Sequence, residues 1–301
     1  MSIAPAINDW FAANGRDLPW RRAGFTAWGT LVSEFILQQT PVARVIPRLE
    51  EWLIRWPTPA DLAAVPSGDA VRAWGRLGYP RRALNLHATA VAITERHGGM
   101  VPHDVDQLLA LPGIGDYTAR AVLAFAFGQR HPVVDVNVRR LVARAVTGVA
   151  DGGSATSPAD LKLVETLLPA AADRAARASA AFMELGALVC VARTPRCTQC
   201  PLARQCAWLL AGAPAAEGPA RRPQGYAGTD RQVRGLLLAV LRESASPVPG
   251  SRLDVVWPEP VQRDRALASL LADGLVTRHG SHYGLAGDIQ NSPFQPTPSL
   301  D

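Results

Sequence analysis

From Ile3 to about Leu210, apolar residues recur at three- and four-residue spacing, without the sustained alternation that marks half-buried strands. This pattern predicts an all-helical core. Proline or glycine interrupts it at Pro41, Pro57 to Pro59, Pro66 to Gly68, Gly78 to Pro80, Gly98 to Pro102, Pro112 to Gly115 and Pro132, which predicts many short helices packed across one another. Residues 211–229 (AGAPAAEGPARRPQGYAGT) lose the periodicity and read as a linker. In 230–286, Val233, Leu237, Val240 and Leu241 stripe one helix, and Leu267, Leu270 and Leu271 stripe another that ends at Gly274. Two short strands, Leu275 to Arg278 and His282 to Leu285, flank a His279-Gly280-Ser281 turn, so this module is expected to resemble a winged helix-turn-helix. The tail 287–301 carries three prolines and is expected to be disordered.

A chain of 301 residues, 48% of them hydrophobic, can bury a sizeable core and carry one or two modules besides. Its apolar runs, such as Ala121 to Phe127 and Ala180 to Ala192 with Glu184 inside it, are too short or too broken to span a bilayer. The first thirty residues contain Asp9, Arg16 and Asp17 and show no secretory signal, so a cytoplasmic location is expected. A formal charge of +5 points to a polyanionic partner. Lys162 is the single lysine among 31 basic residues, so chemistry that needs a lysine amine has one candidate.

All four cysteines, Cys190, Cys197, Cys200 and Cys206, fall in one stretch spaced C-x6-C-x2-C-x5-C. Converging thiolates bind zinc or a 4Fe-4S cluster, and two disulfides are disfavoured in a reducing compartment. Zinc sites commonly draw on two separate knuckles. One C-x2-C followed by Pro201 favours the cluster but leaves zinc open. Upstream, Leu111-Pro-Gly-Ile-Gly-Asp116 before the run Tyr117 to Phe127 has the form of a helix-hairpin-helix, in which Gly113 and Gly115 would let backbone amides approach a phosphate. The same motif also fits an ordinary turn between helices. Asp116 fits a helix cap better than a phosphate contact.

Two carboxylates stand out. Glu34 lies in WGTLVSEFILQQT among Leu31, Phe35 and Leu37, where burial would keep it protonated as a general acid, although its position off the main stripe would also let it face water. Asp135 opens DVNVRRLVAR, where it would stay ionised and could oppose a positive charge, or could serve as an N-cap only.

The run ELGALVC at 184–190, the C-x2-C-P beyond it, SE-x3-LQQT and D-x-N-V-x-R together resemble the MutY adenine glycosylases of the endonuclease III superfamily, over roughly residues 5–210. The resemblance implies an all-α fold in two lobes: a six-helix barrel with the helix-hairpin-helix over 23–130, and an iron-sulfur lobe from 1–22 and 131–210. The linker and the winged-helix-like module would come after them. It further implies base excision repair, with hydrolysis of the N-glycosidic bond of adenine mispaired with 8-oxoguanine or guanine in double-stranded DNA by a monomer. Glu34 would be the general acid, Asp135 the stabilising carboxylate, and Asn137 would orient the sugar or the nucleophilic water. Tyr117 stands where lyase members place a nucleophilic lysine, so the strand would be left uncut.

By the same resemblance, Arg21, Trp20 and Glu184 are similar to elements of the adenine pocket. Gln38, Gln39 and Tyr79 resemble residues that wedge into DNA when a base is flipped. The cysteines would hold a structural 4Fe-4S cluster that supports DNA binding, with Arg193, Arg196 and Arg204 near the backbone. Two departures stand out. Pro80 replaces a usual second tyrosine, and the segment beyond the linker is too small for the family's Nudix-like domain, so a preference for 8-oxoguanine over guanine is not implied. Arg231, Arg252, Arg263, Arg265 and Arg278 give the module possible DNA contacts, with protein docking or a purely structural role as alternatives. A thymine mismatch glycosylase, or an iron-sulfur DNA-binding regulator without catalysis, are the rival readings.

Overall fold

A computed structural model describes residues 3–153, 155–216 and 225–288. The chain divides into two compact units, one made of Met1–Glu34 with Val101–Ala220 and the other of Phe35–Met100 with Arg221–Asp301. Both are predominantly helical, as the three- and four-residue spacing predicts, and among the described residues strands occur only in the C-terminal module. None of the described helices is long and apolar enough to cross a membrane.

The first unit is organised on the helix Ala172–Leu188. Ala175, Ala178 and Ala181 keep one of its faces narrow, so the helices Ala4–Asn14 and Val136–Val142 pack closely on it. Ile7, Val138, Leu141, Phe182 and Leu185 fill the space between them and are almost fully buried. Each such side chain stabilises the fold by roughly 1.5–3 kcal/mol. The helix Pro158–Leu167 starts in a capping box, in which the Ser157 hydroxyl accepts from the Asp160 amide and the Asp160 carboxylate accepts from the Ser157 amide. The helix Val136–Val142 runs directly into one π turn, Ala143–Thr147, which turns Arg144 toward the cysteine loop.

In the second unit, Trp52, Trp56 and Trp74 meet edge to face between the helices Val42–Arg55 and Ser67–Trp74. Pro47 lies inside the first of these helices without ending it. The C-terminal module contains the helices Asp230–Glu243, Gly250–Asp254 and Pro260–Ala272, and a three-stranded antiparallel sheet of order β1-β3-β2. Its strands are Val248–Pro249 (β1), Val276–His279 (β2) and His282–Leu285 (β3), with Val276 opposite Leu285. The hairpin expected from the sequence is present, its first strand one residue later than predicted, and β1 was not foreseen.

The module is not a free appendage. Arg72 makes two bonds of 2.8 and 2.6 Å to Asp288, and Arg242 Nε donates to the Val71 carbonyl at 3.1 Å. Its last segment is therefore fixed to the helix Ser67–Trp74. The expected disordered tail lies outside the described residues beyond Asp288.

Candidate active site

Glu34 is buried, only 4% exposed, in the penultimate turn of the helix Ala27–Leu37, with buried Thr30 and Ser33 beside it on the same helix. The solvent-facing alternative is thereby removed. Burial pushes its carboxyl up to about 7. A hydrogen bond from the Tyr117 hydroxyl pulls it down, and the negative charge of Asp135 pushes it up again. These three residues therefore form one electrostatic group. The Tyr117 hydroxyl is itself raised well above its ordinary value by burial and by both carboxylates, so it stays protonated and donates.

Asp135 is the N-cap of the helix Val136–Val142 and a neighbour of Glu34 at once, so the two roles considered for it coexist. Its Oδ1 accepts from the amides of Asn137 at 2.9 Å and Val138 at 2.7 Å, and its Oδ2 accepts from Asn137 Nδ2 at 2.7 Å. Burial raises its pKa, but these three bonds and the Arg140 charge oppose the rise. The three accepted bonds and the Arg140 charge favour the ionised form of Asp135, whereas burial and the Asp135 charge favour the protonated form of Glu34.

Arg140 closes the D-x-N-V-x-R motif, but the sequence alone gave it no role. Its Nη2 donates to Asn137 Oδ1 at 2.9 Å and to the Gly186 carbonyl at 2.7 Å, and its Nε donates to the Cys190 carbonyl. One guanidinium thus ties the Asp135-Asn137 turn to the cysteine loop. Gly186 was missed as well. A Cβ there would lie 2.6 Å from the Asn137 carbonyl oxygen, so only glycine lets the helix Ala172–Leu188 approach this turn. A buried arginine in an apolar helical run was the available signal for the first. For the second the sequence offered none.

Glu184 is 1% exposed, and its carboxylate is already engaged. Oε1 accepts from the Arg16 amide and Nε at 2.9 and 2.8 Å, and Oε2 accepts from Arg16 Nη2 and Arg21 Nη2 at 2.8 and 2.9 Å. Burial alone would raise this carboxyl, but the arginine bonds outweigh it and bring it down to about 2. Trp20, in the short turn Pro19–Arg21, is half-buried. Arg16 is the partner that the sequence did not disclose.

The hairpin has the helix Val105–Leu109, a turn, and the helix Asp116–Phe127. Gly113 has φ +73°, a left-handed conformation that other residues rarely adopt. Gly115, not Asp116, is the N-cap. Asp116 is the first helical residue and pairs with Arg120 at 2.8 Å, so no side chain covers the amides at this helix start.

Cys190, Cys197, Cys200 and Cys206 line one cavity with Leu141, Arg144, Val189 and Leu202. All four are free thiols, which sets aside the disulfide alternative. Burial pushes the Cys200 thiol up to about 11, and the other three sulfurs add to the rise, so the four converge. Arg144 Nη1 lies 3.6 Å from Cys190 Sγ. Among the described residues, however, no three Cys, His, Asp or Glu donors gather closely enough to hold a single ion. Arg193, Arg196 and Arg204 are exposed around the loop, as expected.

In the second unit, Gln39 (φ +54°) and Tyr79 (φ +46°) are two of three described non-glycine residues in the left-handed region. Such strain persists only where the surroundings enforce it. The enforcing residue is Arg82, 8% exposed and unnoticed in the sequence. Its Nη1 donates to the carbonyls of Phe35 at 2.9 Å and of Gln38, and its Nη2 donates to the Gly78 carbonyl at 3.1 Å. It holds the two loops together. Tyr79 is 55% exposed, so its ring is not part of the packed interior.

Residues 32–155 match the model of the HhH-GPD superfamily of base excision DNA repair proteins. The chain is 56% identical over 291 residues to the adenine DNA glycosylase of Mycolicibacterium smegmatis, covering 96% of this chain and 98% of that one, so the match includes the C-terminal module. It is 38% identical over 214 residues to the human adenine DNA glycosylase, covering 67% of this chain and 38% of that one. Among solved structures, it is similar to a thermostable thymine-DNA glycosylase with a TM-score of 0.62 at 26% identity, covering 69% of this chain and 95% of the other.

Proposed function

Since the chain belongs to the adenine DNA glycosylases, within the HhH-GPD superfamily of base excision DNA repair proteins, we propose that it hydrolyses the N-glycosidic bond of adenine mispaired with 8-oxoguanine or guanine in duplex DNA and leaves the strand uncut. The observation that carries this reading is the coupled group of Glu34, Tyr117 and Asp135. A protonated carboxyl beside an ionised one is what departure of a purine from deoxyribose requires. Glu34 gives its proton to a ring nitrogen of adenine as the bond to C1′ breaks. Asp135, held by Asn137 and the helix start, opposes the positive charge on the sugar. Water then adds its oxygen to C1′, its proton returns to the carboxylate pair, and Asn137 orients the sugar or that water.

Tyr117 cannot form a Schiff base, and Lys162 is exposed on the helix Pro158–Leu167. Both facts support a monofunctional enzyme. Because Arg16 and Arg21 occupy both oxygens of Glu184, the adenine would be met by Arg21 and Trp20, with Glu184 positioning them. Gln38, Gln39 and Tyr79 would enter the helix to replace the flipped base, and the uncovered amides after Gly113 and Gly115 would take a phosphate.

Cys190, Cys197, Cys200 and Cys206, four free thiols lining one cavity, would hold a 4Fe-4S cluster, a reading supported by the single C-x2-C followed by Pro201 and by the family resemblance. Such a cluster would hold the loop of Arg193, Arg196 and Arg204 in shape for DNA. On this reading the barrel (23–130), the cluster lobe (1–22 and 131–210), the linker (211–229) and the module (230–286) belong to a cytoplasmic monomer.

End-labelled duplexes bearing A opposite 8-oxoguanine, A opposite G, and T opposite G test the proposal. Cleavage of the first two, and only after alkali, is expected. Cleavage of the third alone would favour the thymine reading, which the 34% identity to the thymine-DNA glycosylase of Aeropyrum pernix keeps in view. Asp135→Asn should abolish turnover and keep the N-cap, because asparagine caps as well as aspartate.

A further inference from the structure

A groove of about 880 Å³ lies within the second unit. One wall consists of the loops carrying Gln38, Gln39 and Tyr79, and the other is the helix Asp230–Glu243 of the C-terminal module. Arg231, Arg234, Leu238 and Arg242 recur at three- and four-residue spacing on that helix, so they form one stripe facing the groove. Arg76, Arg81 and Arg82 line the opposite side, and among the described residues Asp273 is the sole acidic residue of the lining.

That one carboxylate is shared. Arg234 Nη2 lies 2.5 Å from Asp273 Oδ2, and Arg81 Nη1 lies 3.4 Å from its Oδ1. Among the described residues no carboxylate pairs with Arg76 or Arg242. Burial, followed by the neighbouring Arg76 charge, brings the Arg242 guanidinium down to about 10. Cations crowded in this way are stabilised by a polyanion. Elsewhere on the module, Arg263 is paired with Asp254 and Asp264, Arg265 bonds Asp230 at 2.7 Å, and Arg278 packs on the Tyr283 ring. The arginines that line the groove stand beside Gln39 and Tyr79.

We propose that the helix Asp230–Glu243 and the loops at Gln38-Gln39 and Gly78-Arg82 form a single site for the phosphodiester backbone of duplex DNA, so that the C-terminal module grips the strand at the point where the wedge enters. This inference rests on the glycosylase reading. The module is then part of the DNA-binding surface, and neither a protein-docking appendage nor a merely structural one.

The test measures binding of the full chain to duplexes with and without an A opposite 8-oxoguanine, by fluorescence anisotropy across a range of NaCl concentrations. Arg76→Gln and Arg231→Gln, both at exposed positions, are compared with Arg76→Lys and Arg231→Lys. Each glutamine variant should weaken binding to both duplexes and lower the slope of log K against log salt by about 0.9, and the pair together by about 1.8. The lysine variants, which keep the charge, should keep the slope. A wild-type slope in the glutamine variants, with or without lost affinity, would overturn the proposal and leave the groove to some other occupant. No salt-dependent binding by the unaltered chain would instead refute the glycosylase reading itself.

Discussion

Replacing Glu34 by glutamine should stop excision and yet make the protein more stable in alkaline solution. The carboxyl has an ordinary value of 4.5 and is pushed to about 7 in the fold, first by burial and then by the charge of Asp135. Between these values the folded chain holds a proton that the unfolded chain has released. The stability associated with that proton is therefore fully present below about pH 4.5 and is lost as the pH rises through 7. The difference corresponds to about 3 kcal/mol. A glutamine has no proton to lose and can still accept the Tyr117 hydroxyl. At pH 5 the variant and the wild type should melt together within a degree or two. At pH 8.5 the variant should melt roughly 5–10 °C higher, because a kcal/mol shifts a protein of this size by a few degrees. The same ionisation governs the reaction. Single-turnover excision by the wild type should fall about tenfold per pH unit above 7, as the acid loses its proton, while the variant is inactive throughout. Scanning calorimetry and quenched-flow excision on one duplex provide both curves. A variant destabilised equally at both pH values, or one that still excises adenine, would refute the assignment of a buried, protonated acid.

Three more outcomes rest on particular contacts. Gly186→Ala should cost about 1–3 kcal/mol and reduce excision by tenfold or more, since its Cβ would meet the Asn137 carbonyl at 2.6 Å; the check is denaturant unfolding beside single-turnover kinetics, and near-neutral behaviour would mean the helix can shift freely. Arg82→Met should cost a similar amount by stranding the carbonyls of Phe35, Gln38 and Gly78, and should impair discrimination of mispaired from paired adenine more than it impairs binding to unmodified DNA; equal loss on all duplexes would count against a wedge-positioning role. Cys200→Ser should lower bound iron and abolish visible absorption in the purified protein, whereas zinc by elemental analysis of the unaltered chain would reverse the choice of cofactor.

Periodicity and glycine placement were enough to disclose the helices, the hairpin turn and the C-terminal strands, because these depend on local spacing and local backbone freedom. The four cysteines were legible for the same reason: seventeen consecutive residues contain the whole set. Glu34 and Asp135 were legible as residues but not as a pair. Spacing alone left one facing water and the other a simple cap, and the resemblance supplied the chemistry. That they form one electrostatic group through Tyr117, across a hundred residues of chain, is a property of packing. Arg16 on Glu184, Arg140 on Asn137, Arg82 on two strained loops and Asp288 on Arg72 were equally invisible beforehand. An arginine in a chain where nearly every cation is arginine shows nothing of its partner until folding has buried it, because only burial makes an unmatched charge costly enough to select one.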